Sequence, residues 1–174
     1  MKILVTPTSL CKSPDALILD PLRQFADEII FSPCGHPLAE AELLPLLEGV
    51  DGYLAGLDWI TDSVIQQMPS SLKVISRYGV GYERVAVQAA SDRGIVVTCT
   101  PGANAESVAD MTFALLLAVA RDIPALDRRL RAQEWPRTMG VELFGQENRH
   151  PRTRSDRQAR RAAGWRLLHV CAGV

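Results

Sequence analysis

The 174-residue sequence has no C-x-x-C pair, no long hydrophobic run and almost no net charge. Each absence excludes a class of protein. The four cysteines, Cys11, Cys34, Cys99 and Cys171, lie far apart, so they read as free thiols of a reducing compartment and not as a disulfide frame. The most apolar stretch, Met111 to Ala120, is about half of the roughly 20 residues that a membrane-spanning helix needs. Met1 leads straight into a strand-like run without the basic stretch, apolar core and cleavage site of an export signal. A formal net charge of −1 gives no field to hold nucleic acid or an anionic membrane surface. The expectation is a soluble, cytoplasmic protein with no membrane partner and with nucleic acid disfavoured.

The balanced charge hides an asymmetry. Residues 146–174 hold seven arginines against Glu147 and Asp156, a net +5, so residues 1–145 carry −6. The body and the last segment differ in kind.

Within the body, short β-type runs recur between segments of helical character: Ile3-Leu4-Val5, Ile29-Ile30-Phe31, Tyr53-Leu54-Ala55, Val74-Ile75 and Ile95-Val96-Val97. Each is too brief for a buried helix and rich in β-branched or aromatic residues. Ser13-Pro14 and Thr61, ahead of Val64-Ile65, have the chemistry of helix starts. Gly94 stands where a left-handed helix stop belongs, just before the fifth strand. Strands alternating with helices imply a parallel sheet covered on both faces, with right-handed connections. The prediction is a flavodoxin-like five-stranded α/β domain over residues 1–101, with ligands gathered at the carboxyl ends of its strands.

After Pro101-Gly102 the pattern changes. Asn104 is placed to cap a long helix running to about Asp122, with Glu106 favouring the positive end of its dipole. Val108, Met111, Leu115 and Val119 fall at helical spacing, but Phe113, Leu116 and Leu117 make the helix apolar nearly all round. Such a helix wants burial on several sides, in a second domain or against a dimer partner. Pro124 punctuates, and Ala125 to Ala132 form a second, charged helix.

The most informative segment is Ser76-Arg77-Tyr78-Gly79-Val80-Gly81-Tyr82, at the end of the fourth strand. Glycines flanking Val80 let the backbone turn sharply and expose amides that can receive a carboxylate; the same residues also suit a tight strand-to-helix turn with no ligand. Cys34-Gly35-His36 offers two metal-ligand types, but without a partner nearby in sequence it makes a poor site. Asp51, Asp58 and Asp62 have no paired spacing and read as caps or solvated loop charges.

The longer stretch LKVISRYGVGYERVAVQAASDRGIVVTCTPGANAESVADMTFALLLAVAR, Leu72 to Arg121, resembles the D-isomer-specific 2-hydroxyacid dehydrogenases, particularly their phosphoglycerate-dehydrogenase-like branch. The resemblance extends over roughly residues 1–145. It implies a nicotinamide-dependent oxidoreductase acting on a small 2-hydroxyacid or 2-oxoacid. By the same resemblance, the Gly79, Val80 and Gly81 amides hold the substrate carboxylate, Arg77 and Tyr78 shape the pocket wall, and Val80 and Thr112 approach the nicotinamide of NAD or NADP. Residues 102–145 correspond to inter-domain helices at the start of a nucleotide domain, and the 104–122 helix is a possible homodimer surface. Ala86 stands where the family commonly has Asp, and Cys99 where it commonly has Asn.

The catalytic His, its assisting Glu and the substrate-clamping Arg of the family have no counterpart here, and no G-x-G-x-x-G fingerprint follows Gly145. The expectation is a truncated chain, inactive by itself. Arg152, Arg154 and Arg157 carry the spacing R-x-R-x-x-R. CGG codons read one nucleotide forward become glycine codons, so residues 146–174 are compatible with translation out of frame across the missing fingerprint. The rival readings are a basic segment for nucleic acid or an acidic partner, and a disordered end.

Overall fold

The structure, a computed structural model, describes residues 1–143. The chain divides into two compact units, Met1–Pro101 and a second beginning at Gly102.

Five short strands make the first unit: β1 (Lys2–Val5), β2 (Glu28–Phe31), β3 (Gly52–Ala55), β4 (Val74–Arg77) and β5 (Val96–Thr98). All pair in parallel, in the order β2-β1-β3-β4-β5, which is the flavodoxin-like order. Alternation along β1 divides the apolar residues between the two faces. Leu4 joins Tyr53, Ala55 and Ile75 in the larger core, whereas Ile3 and Val5 face the smaller one with Leu10 and Leu19. Burial on both faces explains why these strands read as continuous apolar runs.

The connecting helices are α1 (Thr8–Cys11), α2 (Asp20–Arg23), α3 (Glu40–Leu43), α4 (Asp62–Gln67) and α5 (Val87–Asp92), with 3-10 turns at Leu17–Leu19 and Leu44–Leu47. Thr61 caps α4 as expected, its hydroxyl accepting from the Val64 amide at 3.3 Å. The other end of α4 is closed by Arg93, whose guanidinium donates to the carbonyls of Ile65 and, at 2.9 Å, Met68. A cation is favoured there by the helix dipole. Gly94 has φ +70, the left-handed stop that turns the chain from α5 into β5. Ala86 precedes α5 without a side-chain cap. One helix start is corrected: Ser13-Pro14 lies in a turn after α1, and the proline that opens the next α-helix is Pro21, in α2. Three residues of 3-10 turn intervene because the chain must bring Leu19 back to the core.

In the second unit, α6 spans Ala105–Ala120 and α7 spans Ile123–Arg131. Asn104 precedes α6 but makes no side-chain cap, while Glu106 lies in its first turn. Asp122 adopts a left-handed φ of 53 between the helices, and Pro124 lies inside the first turn of α7, which therefore starts before Ala125. Met111, Leu115 and Val119 of α6 are 60%, 59% and 80% exposed. No helix among the described residues is long and apolar enough to cross a membrane.

Candidate functional site

In a parallel sheet of this order the chain leaves β1 to one side for β2 and returns on the other to β3, so the carboxyl ends of β1 and β3 diverge at a switch point. Thr6 follows β1 and Gly56 follows β3. Between them lies the carboxylate of Asp58, only 1% exposed. One oxygen accepts from the Thr6 hydroxyl, from the Tyr53 hydroxyl at 2.8 Å and from the Gly56 amide at 3.1 Å. The other accepts from the Leu38 amide at 2.7 Å. The reading of Asp58 as a cap or a solvated loop charge is overturned. Four donors hold this carboxylate, and among the described residues no cation is within ion-pair distance of it; hydrogen bonds of this kind are what make a buried carboxylate tolerable. Asp51 is half-buried and accepts from the Lys2 amide at 2.7 Å; Asp62 opens α4. Burial pushes the Tyr53 hydroxyl well above its ordinary value, and the Asp58 charge adds to the shift, while the neighbouring Thr6 hydroxyl and the Arg77 charge act against it.

The network fixes the loop after β3, and that loop is tied to the one after β4. Ile60 and Val85 form an isolated parallel bridge, with the Ile60 amide donating to Arg84 O at 2.9 Å and the Ala86 amide to Ile60 O at 2.8 Å. Arg84 reinforces it, donating to Leu57 O at 2.6 Å and stacking its guanidinium 4.4 Å from the Trp59 ring centroid. Leu57, Trp59, Tyr78, Val80 and Tyr82 are all exposed along the two loops, an apolar margin at the ligand end of the sheet.

At the head of the second loop, Gly79 has φ +142, a conformation open to glycine and strained for other residues. Its amide donates to Arg77 O at 2.9 Å, and its carbonyl accepts from the Thr100 amide at 3.0 Å. The amides of Val80 and Gly81 have no acceptor among the described residues. Beneath the turn lies Arg77, 7% exposed. Its guanidinium donates to Ala55 O at 3.2 Å and Tyr78 O at 2.9 Å, and comes within 3.7 Å of where a Gly79 side chain would begin. Among the described residues no carboxylate is within ion-pair distance of it. The buried guanidinium puts a positive charge beneath the turn, while on the outer side the exposed Glu83 carboxylate lies beside Gly81.

The structure therefore brings Arg77, Tyr78, Gly79, Val80 and Gly81 into one turn, with Arg77 a buried brace and Tyr78 at the surface. Thr112 belongs to α6 in the second unit, where its hydroxyl donates to Val108 O at 2.6 Å. No local pattern announces the Thr6–Tyr53–Asp58 cluster, because its members are separated along the chain by intervals that match no motif. A second cluster was half visible. Cys34, His36 and Glu42 present ligand atoms within 4.8 Å of one another.

The open parallel sheet, in the order β2-β1-β3-β4-β5, defines an α/β domain of the flavodoxin-like type. The chain belongs to the D-isomer-specific 2-hydroxyacid dehydrogenase family, whose catalytic-domain model matches residues 9–164. That match runs past Gly145 into the arginine-rich segment. The chain is 36% identical over 136 residues to D-3-phosphoglycerate dehydrogenase of Methanocaldococcus jannaschii, an alignment covering 74% of this chain and 26% of that protein. It is 34% identical over 117 residues to glyoxylate reductase of Thermofilum pendens, covering 67% of this chain and 34% of the relative. In structure it resembles a Thermus thermophilus protein at 35% identity and TM-score 0.66, over 83% of this chain and 46% of that one. The chain thus aligns with between 26% and 46% of the length of these relatives. At 20% identity and TM-score 0.66, D-lactate dehydrogenase of Aquifex aeolicus, solved with NAD and lactic acid, shares the fold over 81% of this chain and 41% of that one.

Proposed function

We propose that this chain forms the substrate-carboxylate side of an NAD- or NADP-dependent 2-hydroxyacid oxidoreductase. The observation that carries the reading is the turn at Gly79: the Val80 and Gly81 amides lack acceptors among the described residues, and the buried Arg77 guanidinium lies beneath them. Gly79 shapes the turn, its own amide already donating to Arg77 O. The carboxylate of a small 2-hydroxyacid or 2-oxoacid fits two amides with a fixed positive charge behind them, and the exposed Tyr78 and Val80 offer apolar contact to the rest of the molecule. Relatives named for phosphoglycerate and for glyoxylate support an α-functional acid as the common feature.

For the cofactor the described residues fit only in part. Val80 is apolar and exposed, suited to the face of a nicotinamide ring. Among the described residues no G-x-G-x-x-G turn opens a helix to receive a pyrophosphate. The sequence also offers no counterpart of the family's acid–base His, so no proton route for the hydroxyl is drawn from these residues. The chain by itself is inactive in this reading.

Two measurements on the full chain test it. In a glyoxylate titration, amide NMR shifts centred on Val80 and Gly81, with a Kd on the order of millimolar, support the carboxylate site; shifts elsewhere, or none, sink it. An NADH-consumption assay with the same acid stays at background, and measurable turnover overturns the claim of inactivity. A second reading rests on α6. The exposed Met111, Leu115 and Val119 recur every fourth residue, so one face of the helix is apolar and suits pairing with a second copy of the chain.

A further inference from the structure

We infer that Cys34, His36 and Glu42 form a binding site for a zinc-class divalent cation. The chain leaves β2 at Phe31 and is pinned at both ends of the following loop. Ser32 is buried and its amide donates to Val5 O at 2.9 Å. Leu38 is fully buried, its amide donating to Asp58 at 2.7 Å. Between these anchors the Ser32 hydroxyl accepts from the Cys34 amide at 3.2 Å, which folds Cys34-Gly35-His36 into a turn. The thiol and the imidazole, two residues apart, are thereby gathered on one side.

The third ligand comes from α3. Glu42 accepts from the Ala39 amide through one carboxylate oxygen at 2.9 Å. Its other oxygen lies 3.5 Å from His36 Nε2. On the imidazole, Nδ1 is 3.0 Å from Pro37 O. A carbonyl only accepts, so Nδ1 carries a proton, and Nε2 is the ring nitrogen that faces the carboxylate and is free to ligate a cation placed between them. A metal-ligating histidine is oriented in the same manner, its other nitrogen donating to a carbonyl.

The chemistry of the set selects the metal. One thiolate, one imidazole and one carboxylate suit zinc and its borderline neighbours, whereas calcium and magnesium ask for oxygen ligands that a single carboxylate does not supply. The three ligand atoms lie within 4.8 Å of one another. Tetrahedral zinc, with bonds of about 2.0–2.3 Å, needs them roughly 3.5 Å apart. Because His36 is exposed and Cys34 and Glu42 are half-buried at the surface, small side-chain rotations close the difference while the anchored backbone stays put. On binding, the Cys34 thiol gives its proton to solvent, and the fourth position is left to water. Through Leu38 the occupied loop braces Asp58, and with it the turn after β3.

The test uses the untagged, reduced full chain after chelator treatment. Cobalt(II) titration produces a near-ultraviolet thiolate-to-cobalt band that zinc removes by displacement. Cys34→Ser lacks the band. The triple variant C11S/C99S/C171S retains it. His36→Ala weakens zinc binding about 100-fold or more, beyond the 10–100-fold of an outer-sphere partner. Glu42→Gln weakens it too, although glutamine can still accept from the Ala39 amide and preserve the start of α3. Circular dichroism checks that each variant is folded, and the histidine and glutamate variants decide the matter if Cys34→Ser is not. No band in the wild-type chain, a band that survives Cys34→Ser, or zinc affinity indifferent to His36→Ala and Glu42→Gln each overturns the site.

Discussion

Asp58 shows how much a single buried side chain can organise. Its carboxylate gathers donors from the residue after β1, from β3, from the turn after β3 and from the loop before α3. Asp58→Ala leaves the Leu38 amide and the Tyr53 hydroxyl without their acceptor, at a cost of about 3 kcal/mol or more in denaturant melts. Tyr53→Phe removes one donor and costs about 1.5–3 kcal/mol, the range for a bond to a charged group. Tyr53→Phe also separates from the wild type by pH. The Tyr53 hydroxyl is raised by burial above its ordinary value, so the folded state keeps a proton that the unfolded chain releases near pH 10. That contribution is complete below about pH 10 and is lost as pH rises further. Wild-type melting temperature therefore falls more steeply above about pH 10 than that of Tyr53→Phe. Parallel curves would remove Tyr53 from the account. Burial likewise pushes the Cys11 thiol up, which makes it a sluggish nucleophile beside an ordinary exposed cysteine.

Among the elements, the turn after β4 carries the proposed carboxylate site. Its two glycines are not equivalent. At Gly79 an added Cβ meets only ordinary contacts with Arg77, the shortest 3.7 Å, but φ is +142, so Gly79→Ala is strained by the backbone itself. The expected cost is about 1–3 kcal/mol, together with loss of the glyoxylate response at Val80 and Gly81. At Gly81 the added atom comes within 2.5 Å of a Glu83 carboxylate oxygen, the mobile end of an exposed side chain. Gly81→Ala is therefore accommodated by a turn of Glu83, changing stability by about 0.5 kcal/mol or less. Equal destabilisation of the two variants, measured by urea melts, would contradict this division.

For the whole molecule, the chain belongs to the D-isomer-specific 2-hydroxyacid dehydrogenase family and aligns with between 26% and 46% of the length of the relatives compared. The first unit has a sheet covered on both faces and its own apolar core. The second offers α6, whose apolar face is open at Met111, Leu115 and Val119. If that face pairs two copies, light scattering after size exclusion gives twice the chain mass, and Met111→Glu with Leu115→Glu returns it to the monomer. An unchanged mass in the variant removes α6 as the pairing surface. The arginine-rich segment beyond Gly145 lies outside the described residues. Its reading as out-of-frame translation requires CGG codons at Arg152, Arg154 and Arg157, which sequencing the gene decides.

The sheet and the place of the turn were legible in the amino-acid order. Runs such as Ile3-Leu4-Val5 and Val74-Ile75 have little choice but to be strands, Thr61 and Gly94 mark a helix start and a helix stop through local backbone chemistry, and the glycines around Val80 announce a turn wherever they stand. The Ser13-Pro14 helix start was misplaced because proline fixes a local φ, while the location of the first turn depended on how Leu10 and Leu19 reach the core. Contacts across strands had to wait for the folded chain. Asp58 looked like any loop aspartate until Thr6, 52 positions earlier, came beside it. Cys34 and His36 looked like two ligands without a third until α3 delivered Glu42. Arg77 became a buried brace only when β4 lay against β3 and the Ala55 carbonyl met its guanidinium. Local pattern reports what a residue does to its own backbone; burial and partnership depend on which distant segments the sheet sets side by side.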